Sequence, residues 1–279
     1  MDTAEFKRAS HAVWEAMASG WDERHAYFEE RARPVAERMI ERLAPNPGDT
    51  VLELAAGTGV VGFAAAELVG PSGRVVVSDF SEAMVETATR RAAELGLVNV
   101  ECRVLDAERL ELADAAVDGV LCRWGYMLMG DPEAAFRETH RVLRHGGRLS
   151  CAVFARPEQN PWVTVPSRVL SERGHMPPPD AAAPGILALG DPARLRARFA
   201  EARFAEPEID EVPFVWRFRD ADDYWDFLTD AAGAIAMVIG RLDDDERKRV
   251  REEICARLPS SAADGFDFPA ASLVASAAA

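Results

Sequence analysis

The chain has 279 residues, a formal net charge of −15 at pH 7 and 48% hydrophobic residues, a composition typical of a globular protein. So negative a chain lacks the basic surface that nucleic-acid binding requires, and we expect no nucleic-acid partner. No apolar stretch reaches membrane-spanning length, and the charged N-terminus MDTAEFKRAS lacks the apolar segment of a secretory signal. We therefore expect a cytoplasmic location and no integral membrane segment; composition leaves the oligomeric state open.

The four cysteines favour neither a disulfide framework nor a metal centre. They form no CxxC pair and have no metal-type spacing: Cys102, Cys122, Cys151 and Cys255. Buried, reduced thiols explain this usage, so we predict no metal site.

The first half of the chain predicts a helical cap followed by alternating strands and helices. Apolar residues at helical spacing indicate a cap over residues 1–43, and PNPGD at 45–49 ends it. Residues 44–155 then predict a ligand-binding core, because strands that alternate with helices form a parallel sheet with right-handed crossovers. The predicted core strands are Val51–Leu54, Arg74–Ser78, Asn99–Leu105, Val117–Cys122 and Leu149–Phe154, with helices at Ser81–Leu95 and Asp131–Arg144.

The second half of the chain predicts a return to the sheet between two interruptions. The predicted units are a proline-rich lid insertion at 156–190, a helix and sixth strand at 191–219, a helical lid insertion at 220–258, and a seventh strand with its tail at 259–279. The helix is expected at Asp191–Phe204, the sixth strand at Glu208–Phe218 and the seventh at Phe266–Ala275. The alanine-rich tail, Ala277–Ala279, is expected to fray.

The segment VLELAAGTGVVG at 51–62 is the most informative part of the chain. A short buried strand enters the turn Gly57-Thr58-Gly59 and then a helix, an arrangement that holds nucleotide-like cofactors. The glycines admit close approach of the ligand, and the helix N-terminus offers unpaired N–H groups. Glu53, inside the strand, would repel a pyrophosphate but suits an ammonium group. S-adenosylmethionine carries an ammonium and a sulfonium and has no phosphate, so Glu53 points to it as the cofactor.

The order of motifs resembles class I S-adenosylmethionine-dependent methyltransferases, and within them the ubiquinone/menaquinone-biosynthesis group. The matching stretches, about half of the chain, are VLELAAGTG (51–59), VVVSDFSEAMVETA (75–88), VECRVLDAERLEL (100–112) and VDGVLCRWGYMLMGDPEAAFRETHRVLRHGGRLSCAVF (117–154). The resemblance implies an α/β, Rossmann-like, doubly wound and mostly parallel seven-stranded sheet. Its expected strand order is 3-2-1-4-5-7-6, with strand 7 antiparallel and with helical lid insertions.

The resemblance also implies roles for residues that follow the second and third strands. Asp79 would accept both ribose hydroxyls, with a helix N-cap as the alternative. Phe80 and Met84 would flank the adenine, although ordinary core packing also explains Met84. Asp106 would meet the adenine amino group and the backbone N–H of Ala107 a ring nitrogen, with a local Asx-turn as the alternative.

Other cofactor residues follow from the first and fourth strands and from the cap. Together with Glu53, the turn Ala55, Gly57, Thr58 and Gly59 would face the cofactor. Trp21 stands where relatives carry a tyrosine that covers the cofactor, and an aromatic staple between cap helices is the alternative.

Arg123 and Trp124 leave the fourth strand where the methyl group is expected. The family carries small polar residues at this point, so Arg123 is a departure. It is expected to pair with Glu53 or with the methionine carboxylate, or else to bind the substrate.

Aromatic residues gathered in the lid segments predict an apolar or aromatic pocket for a small-molecule acceptor. The predicted pocket residues are Tyr27, Tyr126, Trp162 and Trp225. If the acceptor needs a general base, the candidates are His25, Tyr126 and His175.

Three other functions compete with methyl transfer. GTGVVG also fits the dinucleotide fingerprint, so an NAD-dependent oxidoreductase is one rival; Glu53 and the lack of a Tyr-x-x-x-Lys pair argue against it. The others are a non-methylating rearrangement that uses the same cofactor, and a binding module without catalysis.

Overall fold

The fold is a seven-stranded sheet with helices on both sides, seen in a computed structural model that describes residues 3–177, 183–258 and 265–279. The strands are β1 (Thr50–Glu53), β2 (Arg74–Asp79), β3 (Val100–Val104), β4 (Val117–Arg123), β5 (Leu143–Phe154), β6 (Glu208–Phe218) and β7 (Phe266–Ala278). Their order is β3-β2-β1-β4-β5-β7-β6. The first five are parallel, and β7 lies antiparallel to both β5 and β6. The predicted fold class is confirmed.

Ten α-helices connect or cover the strands in the described part of the chain. They are α1 (Thr3–Glu23), α2 (His25–Leu43), α3 (Val60–Val69), α4 (Glu82–Glu94), α5 (Pro132–Val142), α6 (Pro161–Glu172), α7 (Pro192–Glu201), α8 (Ala221–Asp230), α9 (Ala234–Gly240) and α10 (Asp244–Ala256). Several begin at side-chain caps: at α4, Ser81 accepts from Met84 N at 3.2 Å, and at α5, Asp131 accepts from Ala134 N at 2.8 Å. None of the described helices is long and apolar enough to cross a membrane.

The boundary between α5 and β5 differs from the prediction. The helix ends at Val142 rather than Arg144, because Leu143 already pairs with Val117 in the sheet. Gly146 lies inside β5 with a φ of 80°. The sheet's hydrogen bonds therefore prevail over the local helical pattern at this point.

The C-terminal tail is part of the sheet, so the expected fraying is wrong. Ala277 pairs with Leu149 and is buried, and the Ala279 N–H donates to Gly147 O at 2.9 Å. Small alanine side chains suit this strand because it is covered on both faces.

The predicted proline-rich lid segment contains a helix, α6, that the sequence pattern did not indicate. Helix α6 begins after Asn160, whose side-chain amide donates to Ala155 O at 3.2 Å and to Ala271 O at 3.1 Å. These bonds fix the start of the helix against β7. Parts of the two predicted segments, residues 178–182 of the lid and 259–264 before β7, lie outside the described residues.

The burial of Ala277 can be tested by introducing a charged side chain at this position and measuring stability. We expect Ala277→Asp to lower the free energy of unfolding by about 3 kcal/mol or more, because the carboxylate would have no partner in the core. Ala205 is the matched control, since it is exposed and its N–H bonds to Ala278 O next door. In urea unfolding, Ala205→Asp should change stability by less than about 0.5 kcal/mol. Equal effects of the two substitutions would contradict a paired tail.

Candidate cofactor and acceptor site

A cavity of about 360 Å³ lies at the carboxyl ends of β1, β2 and β4, where open α/β sheets bind ligands. Its described lining has a polar end near β1 and β2 and an aromatic end near β4 to β6. All but two of the predicted cofactor residues line it: Trp21, Glu53, Ala55, Gly57, Asp79, Phe80, Met84, Asp106, Ala107, Arg123 and Trp124. The other two support the turn, since Thr58 is buried and Gly59 caps α3.

Asp79 holds the glycine turn in place. Its Oδ2 accepts from Gly57 N at 2.9 Å and its Oδ1 from Ser81 N at 3.0 Å. Burial raises the pKa of this carboxyl, while the backbone donors oppose that shift. Ser81, not Asp79, caps α4 with its side chain. Each carboxylate oxygen has a second lone pair, so Asp79 can still accept hydroxyl hydrogens from the cavity.

Glu53 is buried at the start of α3 and ends β1. Gly62, in the first turn of that helix, donates its N–H to Oε2 at 2.8 Å. A Cβ on Gly62 would lie 2.4 Å from the same oxygen, so only glycine admits the carboxylate there. Burial raises the pKa of Glu53 to about 7, against the lowering effects of Arg123 and of the Gly62 N–H. The group is therefore partly protonated near neutral pH and gains from a cation.

Arg123 and Trp124 both face the cavity although they are consecutive residues at the end of β4. Trp124 has a left-handed φ of 60°, which interrupts the alternation of a strand. The Arg123 guanidinium lies 5.0 Å from the centre of the Trp124 ring. The expected ion pair between Arg123 and Glu53 is not formed among the described residues, and no side-chain hydrogen bond joins the two groups. Burial lowers the pKa of Arg123, and the charge of Glu53 acts on it only from a distance.

The aromatic end of the cavity is built from the sheet and from the lids. Trp124 stacks on Phe154 with centroids 4.6 Å apart, and Phe154 lies 5.1 Å from Trp162. Trp216 of β6 and Phe227 of α8 complete the wall, 5.6 Å from each other. Sequence reasoning placed Trp162 in the pocket but missed Trp216 and Phe227. Buried and exposed residues alternate along β6, and this alternation places Trp216 on the buried face. The same pattern in the sequence could have identified Trp216.

Helix α1 closes over the polar end through the polar contacts of three side chains. Lys7 forms ion pairs with Asp106 and, at 3.1 Å, with Glu108. Further along the helix, Glu15 accepts from Ser81 Oγ at 2.6 Å, and His11 contacts Glu82 at 2.9 Å. The carboxylate of Asp106, expected to meet an adenine amino group, is therefore engaged by Lys7 in this structure. Lys7 itself was not identified from the sequence, since nothing in its local pattern distinguishes it.

Two of the predicted general bases lie away from the cavity lining. His25 contacts the backbone oxygen of Asp22 at 2.6 Å, between α1 and α2. His175 contacts Glu246 at 2.8 Å on the outside of α10. Both histidines make local structural contacts.

Tyr126, Tyr27 and Trp225 are also outside the cavity lining. Tyr126 is fully buried, shares a 2.6 Å hydrogen bond with Thr139, and has a pKa far above its ordinary value because of burial. Tyr27 stacks on Trp216, 5.7 Å between centroids, behind the wall. Trp225 lines a separate small pocket beside α9. The structure thus brings the cofactor residues together but none of the candidate bases.

Comparisons with known proteins agree with this geometry. Residues 45–172 match a family model described as a methyltransferase domain. The chain is 38% identical over 111 residues to the ubiquinone/menaquinone biosynthesis C-methyltransferase UbiE of Klebsiella pneumoniae, covering 39% of this chain and 44% of that protein. It is 36% identical over 138 residues to nocamycin O-methyltransferase of Saccharothrix syringae, covering 49% of each.

The fold has solved counterparts. A geranyl diphosphate methyltransferase in complex with S-adenosylmethionine superposes with a TM-score of 0.53 at 20% identity, over 88% of this chain and 84% of that one. The chain spans about half the length of the curated relatives it matches. The resemblance to class I S-adenosylmethionine-dependent methyltransferases is confirmed, and so is the predicted cofactor. Residues 45–172 are therefore similar to a methyltransferase domain.

The role of Asp79 can be measured directly. We expect Asp79→Asn to weaken binding of S-adenosylhomocysteine by roughly 1–3 kcal/mol, because the amide cannot accept at both positions and leaves polar groups unpaired. Asp191→Asn is the matched control, since Asp191 caps α7 at an exposed site outside the cavity lining. Calorimetry that finds the two variants equal would show that Asp79 only orders the turn.

Proposed function

We propose that the protein is an S-adenosylmethionine-dependent methyltransferase that transfers a methyl group to a small apolar or aromatic molecule. The carrying observation is that one cavity joins the polar end, at Glu53 and Asp79, to the aromatic end, at Trp124, Trp162 and Trp216. A cofactor and an acceptor could thus share one enclosed space. The matches to small-molecule methyltransferases support the proposal.

The residues at the polar end fit the proposed cofactor. Gly57 has a φ of 55°, and a Cβ placed on it would meet only Met84 Sδ, at 4.0 Å. The space above Gly57 is therefore open, and a ligand can approach the backbone there. Asp79 offers acceptors for hydroxyls, and Glu53 offers a carboxylate for an ammonium group. When bound, the cofactor supplies a methyl carbon activated by a sulfonium.

The chain's own residues would contribute alignment and exclusion of water. Methyl transfer is an in-line displacement, so correct placement of the two reactants supplies much of the catalysis. The contacts of Lys7 and Glu15 hold α1 over the cavity, and Trp21 donates to Ala231 O at 3.2 Å, which joins α1 to the segment after α8. We therefore propose the N-terminal cap, residues 156–190 and residues 220–258 as lid elements.

No general base is assigned. His25, Tyr126 and His175 stay outside the proposed mechanism because each is engaged elsewhere. The absence of a metal and the cytoplasmic location remain predictions.

The function can be tested by transfer of label. The protein is incubated with S-adenosylmethionine labelled in the methyl group and a panel of phenols, quinols, amines and acids. We expect label in an organic product, together with binding of S-adenosylhomocysteine and no binding of NAD. Cofactor binding without transfer to any acceptor would favour a non-methylating enzyme or a binding module, and NAD binding alone would favour the oxidoreductase.

The raised pKa of Glu53 gives a second test. Since its pKa is about 7 in the free protein, Glu53 is ionised above that pH and protonated below it. If it faces the ammonium group, affinity for S-adenosylhomocysteine should be highest just above pH 7, where Glu53 is ionised and the ligand's amino group is still protonated. It should fall by up to about ten-fold for each pH unit below 7. Glu53→Gln keeps an acceptor for the Gly62 N–H and should make the affinity lower but flat across this range. A pH dependence that survives in Glu53→Gln would assign the titration to another group.

A further inference from the structure

Two of the residues that line the cavity each have a buried hydrogen-bond donor without a partner. The structure gives no partner to Arg123 Nη1 or to Trp216 Nε1 among the described residues. Both residues line the cavity, and Trp216 is only 1% exposed. Buried polar atoms are nearly always hydrogen-bonded, so two such exceptions in one cavity point to a ligand.

Three other tryptophans that line the cavity have partners for their indole N–H groups. Trp124 Nε1 donates to Ser272 Oγ at 2.9 Å, and Trp162 Nε1 donates to Asn160 Oδ1 at 3.2 Å. Trp21 has its own partner, the backbone oxygen of Ala231. The buried Nε1 of Trp216 differs from these three because it has no partner among the described residues.

The two donors flank the same ring. The Arg123 guanidinium carbon lies 5.0 Å from the centre of the Trp124 ring. The centre of the Trp216 ring lies 6.1 Å from the centre of the same Trp124 ring. Arg123 ends β4, whereas Trp216 is on β6 at the edge of the sheet opposite to β3. The cofactor residues Glu53 and Asp79 end β1 and β2, on the other side of β4. The donors therefore belong to the acceptor end of the cavity.

The chemistry of the two groups restricts what they can bind. An indole N–H and a guanidinium donate hydrogen bonds and accept none, so the ligand must present acceptor oxygens. Arg123 also carries a positive charge that forms no ion pair with a described carboxylate, and a buried charge needs a counter-charge. The planar guanidinium matches a carboxylate with two parallel hydrogen bonds. Because the rest of this end is aromatic, one cation there suits one negative charge rather than a polyphosphate.

We infer that Arg123 and Trp216 bind a carboxylate on the acceptor, so the acceptor is an aromatic or apolar carboxylic acid. The inference rests on the proposed function, because only a methyltransferase would make the bound ligand a methyl acceptor. Arg123 and Trp216 would then select acceptors that carry a carboxylate over their neutral analogues.

The test compares a matched pair of probes, 2-naphthoate and 2-naphthamide, for binding to the protein saturated with S-adenosylhomocysteine. We expect the wild-type protein to bind the acid at least about ten-fold more tightly than the amide, the scale of a charge-assisted hydrogen bond. Arg123→Gln should abolish this preference, Trp216→Phe should reduce it, and Arg123→Lys should retain part of it. Affinity for S-adenosylhomocysteine should be unchanged in all three variants.

The controls are Arg156→Gln and Trp225→Phe, an exposed arginine and a tryptophan outside the cavity lining. Both should keep the wild-type preference, and thermal melting confirms that every variant is folded. A wild-type protein that binds acid and amide equally overturns the inference. So does an Arg123→Gln variant that keeps the preference but loses affinity for S-adenosylhomocysteine, since Arg123 would then serve the cofactor's own carboxylate.

The same probes separate this inference from the proposed function. Selective binding of acids that Arg123→Gln abolishes supports the assigned carboxylate site even if no member of the acceptor panel becomes labelled. In that case it is methyl transfer that fails. Label transfer to phenols or amines with no preference for acids supports the function and overturns the inference.

Discussion

The site depends on how tightly the carboxyl ends of β1 and β4 meet. A Cβ on Gly125 would lie 2.6 Å from Ala55 Cβ and 2.7 Å from Cys122 Sγ, so only glycine fits between the two loops. Both loops adopt left-handed backbone next to this contact, at Ala55 with a φ of 49° and at Trp124 with a φ of 60°. Such conformations are unfavourable for residues with side chains and persist where the surrounding packing fixes them. One crowded junction thereby shapes both the glycine turn and the end of β4.

The two ends of the cavity differ in how they are stabilised. At the polar end, backbone N–H groups hold the carboxylates of Glu53 and Asp79, and α1 is attached by ion pairs and hydrogen bonds. At the aromatic end, stacked rings from the sheet and the lids pack together, and their polar edges are mostly satisfied locally. Partly exposed ion pairs contribute little free energy, whereas aromatic burial contributes more. Helix α1 also makes an aromatic contact, since Trp21 stacks on Phe28 with centroids 4.2 Å apart. The helix is therefore held less firmly at its polar contacts than at this ring.

Burial affects two ionisable groups of the cavity, Glu53 and Arg123, in the same way. Burial raises the pKa of Glu53 and lowers that of Arg123, because a low-dielectric environment disfavours the charged form of each. The two groups do not form an ion pair that would cancel these effects. A cationic ligand group at Glu53 and an anionic one at Arg123 would each restore the favourable charged state. The cavity thus suits a cationic group of one ligand at Glu53 and an anionic group of a second ligand at Arg123.

The sequence by itself determined the sheet, its order and the cofactor end. Strand and helix patterns, the Gly57–Gly59 turn and Asp79 at the end of β2 are local signals, and local signals suffice where each element's own residues dictate its structure. Only the tertiary structure decided the acceptor end, because its wall combines β4, β6 and lid helices that are far apart in the chain. Trp216 and Trp225 look alike in the sequence, yet one faces the cavity and the other does not. The pairing of Lys7 with Asp106 and the isolation of Arg123 likewise depend on distances between elements, which no local pattern encodes.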